Sequence, residues 1–204
     1  MEFRTMFRMS CTFSGVLLML VIGVGTYYAN RYHRQQQIQK IARETPDIAL
    51  TKSRAAIRFK KWAKSVPKAV SAVDKKYGKM IERVAKIQKV DPKLIKTIVV
   101  VESSAKEDAI SAKNAIGLMG IKPIAARDVG HDRISLLTNP TYSIVTGAKY
   151  IKMLRDRYGF KNRNQLLLAY NEGPAEAKAL LSRGFNPAGH EYVIKTNYVL
   201  ASLQ

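Results

Sequence analysis

Cysteine is nearly absent from this chain of 204 residues: Cys11 stands alone, so no intramolecular disulfide can form. A small secreted scaffold held by cross-links is excluded, although export from the cytoplasm is not. Histidine is almost as scarce. His33, His131 and His190 lie far apart with no paired-ligand spacing, which argues against a zinc site. No glycine-rich phosphate loop occurs, and no strand–turn–helix signature marks a nucleophilic serine. No segment alternates as a strand would, so the chain reads as mainly α. No internal repeat or low-complexity tract breaks it up.

Acidic side chains are the last shortage. Aspartate and glutamate number 15 against 35 lysines and arginines, a formal net charge of +20. Such an excess favours polyanions, whether nucleic acid, anionic lipid or the acidic polymers of a bacterial wall. Solubility and nonspecific attraction account for it equally well. The excess is uneven: 13 basic and 3 acidic residues fall between Arg31 and Lys76.

Charge vanishes altogether between Arg8 and Arg31, around the apolar run from Gly15 to Gly25. A helix needs about 20 apolar residues to cross a bilayer. This stretch just reaches that length, with Tyr27 and Tyr28 where interfacial aromatics sit. Residues 1–30 therefore read as a transmembrane anchor, with a cleaved signal peptide as the alternative. The run follows Cys11 rather than preceding it, which argues against lipid attachment there. Arg31, Arg34, Lys40 and Arg43 outnumber Arg4 and Arg8, so charge alone would leave the C-terminal side in the cytoplasm.

Residues 31–74 read as a basic stalk or linker, interrupted at Pro46. It is either an amphipathic helix lying on a membrane or a solvated spacer. From residue 75 onward the pattern tightens into a helical domain. Met80, Ile81, Val84, Ala85 and Ile87 recur at helical spacing. Asp91-Pro92 reads as an N-cap with proline at the first helical position. The helix that follows, through Leu94, Ile95, Ile98, Val99 and Val101, is apolar enough to be central, and it ends at Glu102-Ser103. Further helices are expected after Asn139-Pro140, through Leu166–Ala169, from Pro174 and from about Gly189 to Leu200.

A carboxylate closing an apolar helix is unusual, though a surface glutamate at a helix end is the ordinary explanation. Other segments single it out. Ser111, Gly117-Leu118-Met119 and Pro123 follow Glu102-Ser103; Ala169-Tyr170-Asn171 with Gly173, and then Tyr192-Val193, come later. In this order and spacing they resemble the soluble-lytic-transglycosylase (SLT) family, which has a lysozyme-like, goose-type helical fold. The resemblance covers roughly residues 77 to 204. Departures are Ala105 for an aromatic, Lys106-Glu107 for asparagine-proline, Asn114 for glycine and Gly120 for the glutamine after methionine. Asn114 still tolerates a left-handed backbone. At Gly120 a cleft amide is lost, so Gly120→Gln is expected to raise activity, unless the glycine serves a backbone need and the substitution destabilises the fold instead.

The resemblance implies a lytic transglycosylase that cleaves the MurNAc–GlcNAc β-1,4 bond of peptidoglycan and leaves 1,6-anhydroMurNAc, with no cofactor and no metal. Glu102 would be catalytic, protonating the leaving oxygen from an apolar site and then acting as base on the sugar's own 6-hydroxyl. Tyr170 would hydrogen-bond Glu102, Asn171 would hold an acetamido group, and Ser111, Met119 and Tyr192 would line the substrate cleft. Core packing explains Met119 and Tyr192 almost as well. Glu107 and Asp108 read as solvated loop charges rather than a second catalytic carboxylate. The implied place is the inner membrane, with the catalytic domain in the periplasm or cell-wall space, or secretion after signal cleavage. The implied partners are glycan strands, the membrane through the N-terminal helix, and wall-spanning secretion, conjugation or phage machinery, with no specific nucleic acid. The alternatives are a weakly active or non-catalytic glycan binder, a lysozyme-like hydrolase, and a nucleic-acid binder acting through the stalk.

Overall fold

The computed structural model describes residues 46–203, with side chains from Arg54. The expected anchor at residues 1–30 and the start of the stalk lie outside the described residues. Among the described residues no helix is long and apolar enough to cross a membrane.

The chain divides into two units, Met1–Lys61 and Trp62–Gln204. The described part of the first is helical. Helix α1, Pro46–Ala63, begins at the proline expected to interrupt the stalk. Proline suits a first helical turn, where its missing N–H would have no partner anyway. Arg54, Ile57, Arg58, Lys60 and Lys61 are all exposed on it.

The second unit starts earlier than expected. Helix α2 spans Val66–Gln88, and Val66, Ala69 and Val73 are buried along with Tyr77, Ile81, Val84 and Ala85. Residue 75, the expected boundary, falls inside this continuous helix, whose first turns already carry core side chains. The lysines between those positions hid an apolar stripe at helical spacing. Ile87 faces outward, 68% exposed.

Helix α3, Pro92–Ser103, is capped as expected: the Asp91 side chain accepts from the Lys93 N–H at 2.9 Å. Ile95, Ile98 and Val99 are wholly buried. Burying each such side chain contributes about 1.5–3 kcal/mol. Helix α3 earns its central place by packing on α2, on α5 (Pro140–Asp156) and on α8 (Glu191–Ser202). Between α3 and α5 lie a loop and the short helix α4, Pro123–Asp128. Antiparallel bridges join Ile116 to Ile110 and to Ile121 in that loop. Helices α6 (Arg163–Glu172) and α7 (Pro174–Ser182) follow α5, hinged at Gly173. Asn139 caps α5 through the Tyr142 N–H. The Asn162 cap of α6, accepting from Asn164 and Gln165, carried no recognised signal in the sequence.

Candidate active site

The ends of α3 and α6, the start of α7 and the loop from Ser111 to Lys122 surround a cleft of about 740 Å³. Glu102 lies in its wall with Ser111, Gly120, Tyr170 and Asn171. The backbone beyond Glu102 turns sharply: Ser104 and Ala105 both take left-handed dihedrals, φ 50° and 68°. The helix stops there because Ser104 closes it on the Val100 carbonyl. Strain of this kind persists only where surrounding contacts enforce it.

Glu102 is half-buried in the cleft wall. Burial raises its carboxyl from an ordinary 4.5 to about 7, against smaller opposing effects from the Tyr192 hydroxyl and the Lys122 charge. A carboxyl poised there both gives and takes a proton near neutrality. The Tyr192 hydroxyl faces Glu102, yet it meets no partner at full hydrogen-bond geometry. It is therefore a donor in reserve, and burial keeps it protonated far above its usual range.

Tyr170 does something other than expected. Its hydroxyl donates to the Met119 carbonyl at 2.8 Å. The tyrosine addressing Glu102 is Tyr192, from α8, whose ring stacks on Tyr170 at 6.4 Å with only 9° between planes. Tyr150 of α5 also meets Tyr170, edge-on at 5.6 Å. Met119 is also corrected as a cleft residue. Its side chain is wholly buried against Gly147 of α5, where an added Cβ would come within 2.3 Å of its sulfur. It gives the site a carbonyl and a fixed backbone, with its N–H on Ser143 Oγ at 3.2 Å. Tyr192 likewise stands behind Glu102, buried, rather than among the cleft-lining side chains. Ser111 does line the cleft, although its Oγ already accepts from the Ala115 N–H at 3.0 Å. Asn114 holds the left-handed dihedral expected of it, φ 58°.

The loop 117–121 is fixed by close approach. Gly117 has φ 76°, and a Cβ there would sit 1.8 Å from the Leu137 carbonyl oxygen. Gly120 has φ 57°, and a Cβ there would sit 2.3 Å from Glu102 Oε2. A side chain at 120 meets the Glu102 carboxyl first, so Gly120→Gln, expected to restore a cleft amide, would have to displace that carboxyl.

Glu107 and Asp108 are exposed, as expected, and are not among the residues lining the cleft; the Tyr77 hydroxyl donates to Glu107. Asp128, Glu172 and Glu176 do line it, as do Lys113, Lys122 and Tyr150. None of these six was singled out from the sequence. Glu172 had a signal, lying inside the Ala169–Gly173 motif. Lys122 and Asp128 come from elements whose positions only the fold defines. Glu172 also pairs with His190 at 3.2 Å. His131 lies apart from it, stacked on Tyr142 and bonded to Thr146.

A family model described as the transglycosylase SLT domain matches residues 79–192, more than half of the chain. The chain belongs to the SLT transglycosylase family. Membrane-bound lytic murein transglycosylase C of Actinobacillus pleuropneumoniae serotype 5b is 35% identical to the SLT chain over 113 residues, 48% of this chain and 31% of that protein. Membrane-bound lytic murein transglycosylase E of Buchnera aphidicola subsp. Acyrthosiphon pisum is 36% identical over 119 residues, 52% of this chain and 54% of that one. The SLT chain thus spans between about a third and about half of the length of these curated relatives. Its fold matches the crystal structure of the 70 kDa soluble lytic transglycosylase SLT70 from Escherichia coli, with a TM-score of 0.55 at 21% identity over 72% of this chain and 28% of that one. The mainly helical, lysozyme-like SLT architecture expected from the sequence is thereby established for the second unit.

Proposed function

We propose that this SLT chain is a peptidoglycan lytic transglycosylase with Glu102 as its single catalytic acid and base. The observation carrying the proposal is the Glu102 carboxyl, set in a cleft wall and pushed by burial to about 7. The protonated carboxyl gives its proton to the glycosidic oxygen as the C1–O bond breaks. The neighbouring N-acetyl carbonyl supports the positive charge at the anomeric carbon. Glu102, now a carboxylate, takes the proton of the 6-hydroxyl as that oxygen bonds to C1. The product is a 1,6-anhydromuramoyl end, and Glu102 regains its starting proton. An internal hydroxyl held near C1 competes well against water because its encounter entropy is already lost.

Asn171, in the cleft beside Tyr170, suits an acetamido group, and Ser111 lies on the same cleft. Tyr192 supports Glu102 from behind as its charge develops. Lys122, the largest neighbouring charge on Glu102, stabilises the carboxylate stage of the cycle. The relatives' names, membrane-bound lytic murein transglycosylases, point the same way.

Digestion of purified sacculi followed by mass spectrometry tests this reading. Anhydromuropeptides are expected. Reducing-end products instead would identify a hydrolase, and intact sacculi would leave a glycan-binding protein.

The proposal extends to residues 1–30 as an inner-membrane anchor, or a cleaved signal, holding the SLT unit in the periplasm or wall space. The apolar run between Arg8 and Arg31 supports it. A small unit so tethered suits local wall opening beside a secretion, conjugation or phage entry machine. A reporter fused after Gln204 should work only if it requires an exported compartment. Activity of a cytoplasmic reporter there would uphold the charge count and end the wall-cleaving role.

A further inference from the structure

The turn from Gly117 to Gly120 is rigid. The Gly120 N–H returns to the Gly117 carbonyl at 3.1 Å, and Ile116 and Ile121 exchange both backbone hydrogen bonds at 3.0 Å. Below it, the Met119 side chain is wholly buried and its carbonyl is taken by Tyr170. At its start, Gly117 is already against the Leu137 carbonyl. Backbone hydrogen bonds and close contacts hold the turn on each of these sides.

On this turn, the Glu102 carboxyl fills the space a side chain at position 120 would need. A Cβ on Gly120 would lie 2.3 Å from Oε2, 2.7 Å from Cδ and 3.0 Å from Cγ of Glu102. The yielding partner must be the glutamate, the far end of a side chain that borders open cleft. We infer that Gly120 is a positioning residue: its missing side chain creates the niche in which the Glu102 carboxyl is withdrawn, and any side chain there swings that carboxyl into the cleft. This rests on the reading of Glu102 as the acid and base.

The groups facing Glu102 are Tyr192 from α8, Tyr170 from α6 and Lys122 just beyond the turn. Neither tyrosine ionises near neutrality, because burial raises both well above the usual range. Displacement therefore acts on Glu102 chiefly through hydration. A carboxyl moved into water titrates lower.

The test compares Gly120→Ala and Gly120→Asn with Gly130→Asn in the full chain. Gly130 has φ 76° but open space around its Cβ position, so it reports backbone strain alone. Asparagine tolerates the left-handed backbone better than alanine, yet still places a Cβ on Glu102. The Glu102 carboxyl is followed by carbon-13 NMR in glutamate-labelled protein, its resonance assigned with Glu102→Gln. Both position-120 variants should titrate about one pH unit or more below the natural protein, and the alkaline limb of product release should move with them. Gly130→Asn should titrate as the natural protein does. An unchanged Glu102 midpoint in a folded position-120 variant overturns the inference. So does failure of both variants to fold while Gly130→Asn folds, because the turn and not the carboxyl would then have yielded. The titration does not depend on turnover. A shifted midpoint in a chain releasing no anhydro product would refute the proposed activity and leave the niche standing.

Discussion

Replacing Glu102 with glutamine keeps the size of the side chain and removes its titration, which exposes two consequences of one burial. Turnover should fall at least about a hundredfold, the ordinary contribution of a positioned acid. Stability should change in a pH-dependent way. The folded carboxyl titrates near 7 against an ordinary 4.5. Below about pH 4 both folded and unfolded chains hold the proton, and burial of the neutral acid carries no ionisation penalty. Between these values the unfolded chain ionises and the folded one does not, so the natural protein loses stability as pH rises. Above about pH 8 the loss is complete. At about 1.4 kcal/mol per pH unit, the gap of roughly 2.5 units sets a ceiling near 3 kcal/mol. Glutamine carries no such dependence. Its own cost of burial is the same at every pH and cancels from the slope. Urea unfolding at about pH 4 and pH 8 should therefore show the variant gaining about 2–3 kcal/mol on the natural protein between the two conditions. In a thermal scan that is about 4–12 °C. Equal differences at both pH values would refute the buried carboxyl, whatever the variant does to turnover.

Three other substitutions probe the support around it. Tyr192→Phe removes a buried hydroxyl lacking a full partner, so stability should hold or rise; the Glu102 midpoint should climb above about 7, moving the alkaline limb of the pH–rate profile upward. A downward shift would contradict the placement of that hydroxyl. Tyr170→Phe strips the donor from the buried Met119 carbonyl and should cost about 1–3 kcal/mol in denaturant unfolding, while moving the Glu102 midpoint less than Tyr192→Phe does. The reverse ranking would restore Tyr170 as the direct partner. Gly117→Ala puts a Cβ 1.8 Å from the Leu137 carbonyl oxygen and should cost about 2–4 kcal/mol by the same measurement. A neutral result would mean that the turn moves more freely than its contacts imply.

Sequence by itself determined the features that are local in the chain. The Asp91-Pro92 and Asn139-Pro140 starts are cap chemistry within a few residues, and both helices begin there. The apolar run through Leu94–Val101 required a central helix, because only complete burial justifies it. The ordered motifs around Glu102, Gly117-Leu118-Met119 and Ala169–Gly173 singled out the carboxylate and identified the family before any contact was known. Other features depend on distances through space, and these only the tertiary structure decided. The lysines of residues 60–74 read as linker, yet Val66, Ala69 and Val73 among them face one core. Tyr170 and Tyr192 are indistinguishable as sequence. Their roles follow from what each hydroxyl faces: Tyr170 donates to a carbonyl 51 residues away, whereas the Tyr192 hydroxyl faces the Glu102 carboxyl short of full hydrogen-bond geometry. Gly120 read as a missing amide because a sequence records what a residue lacks. The folded chain shows that the space left empty at 120 is filled by residue 102, and a packing relation between distant residues has no signature along the chain.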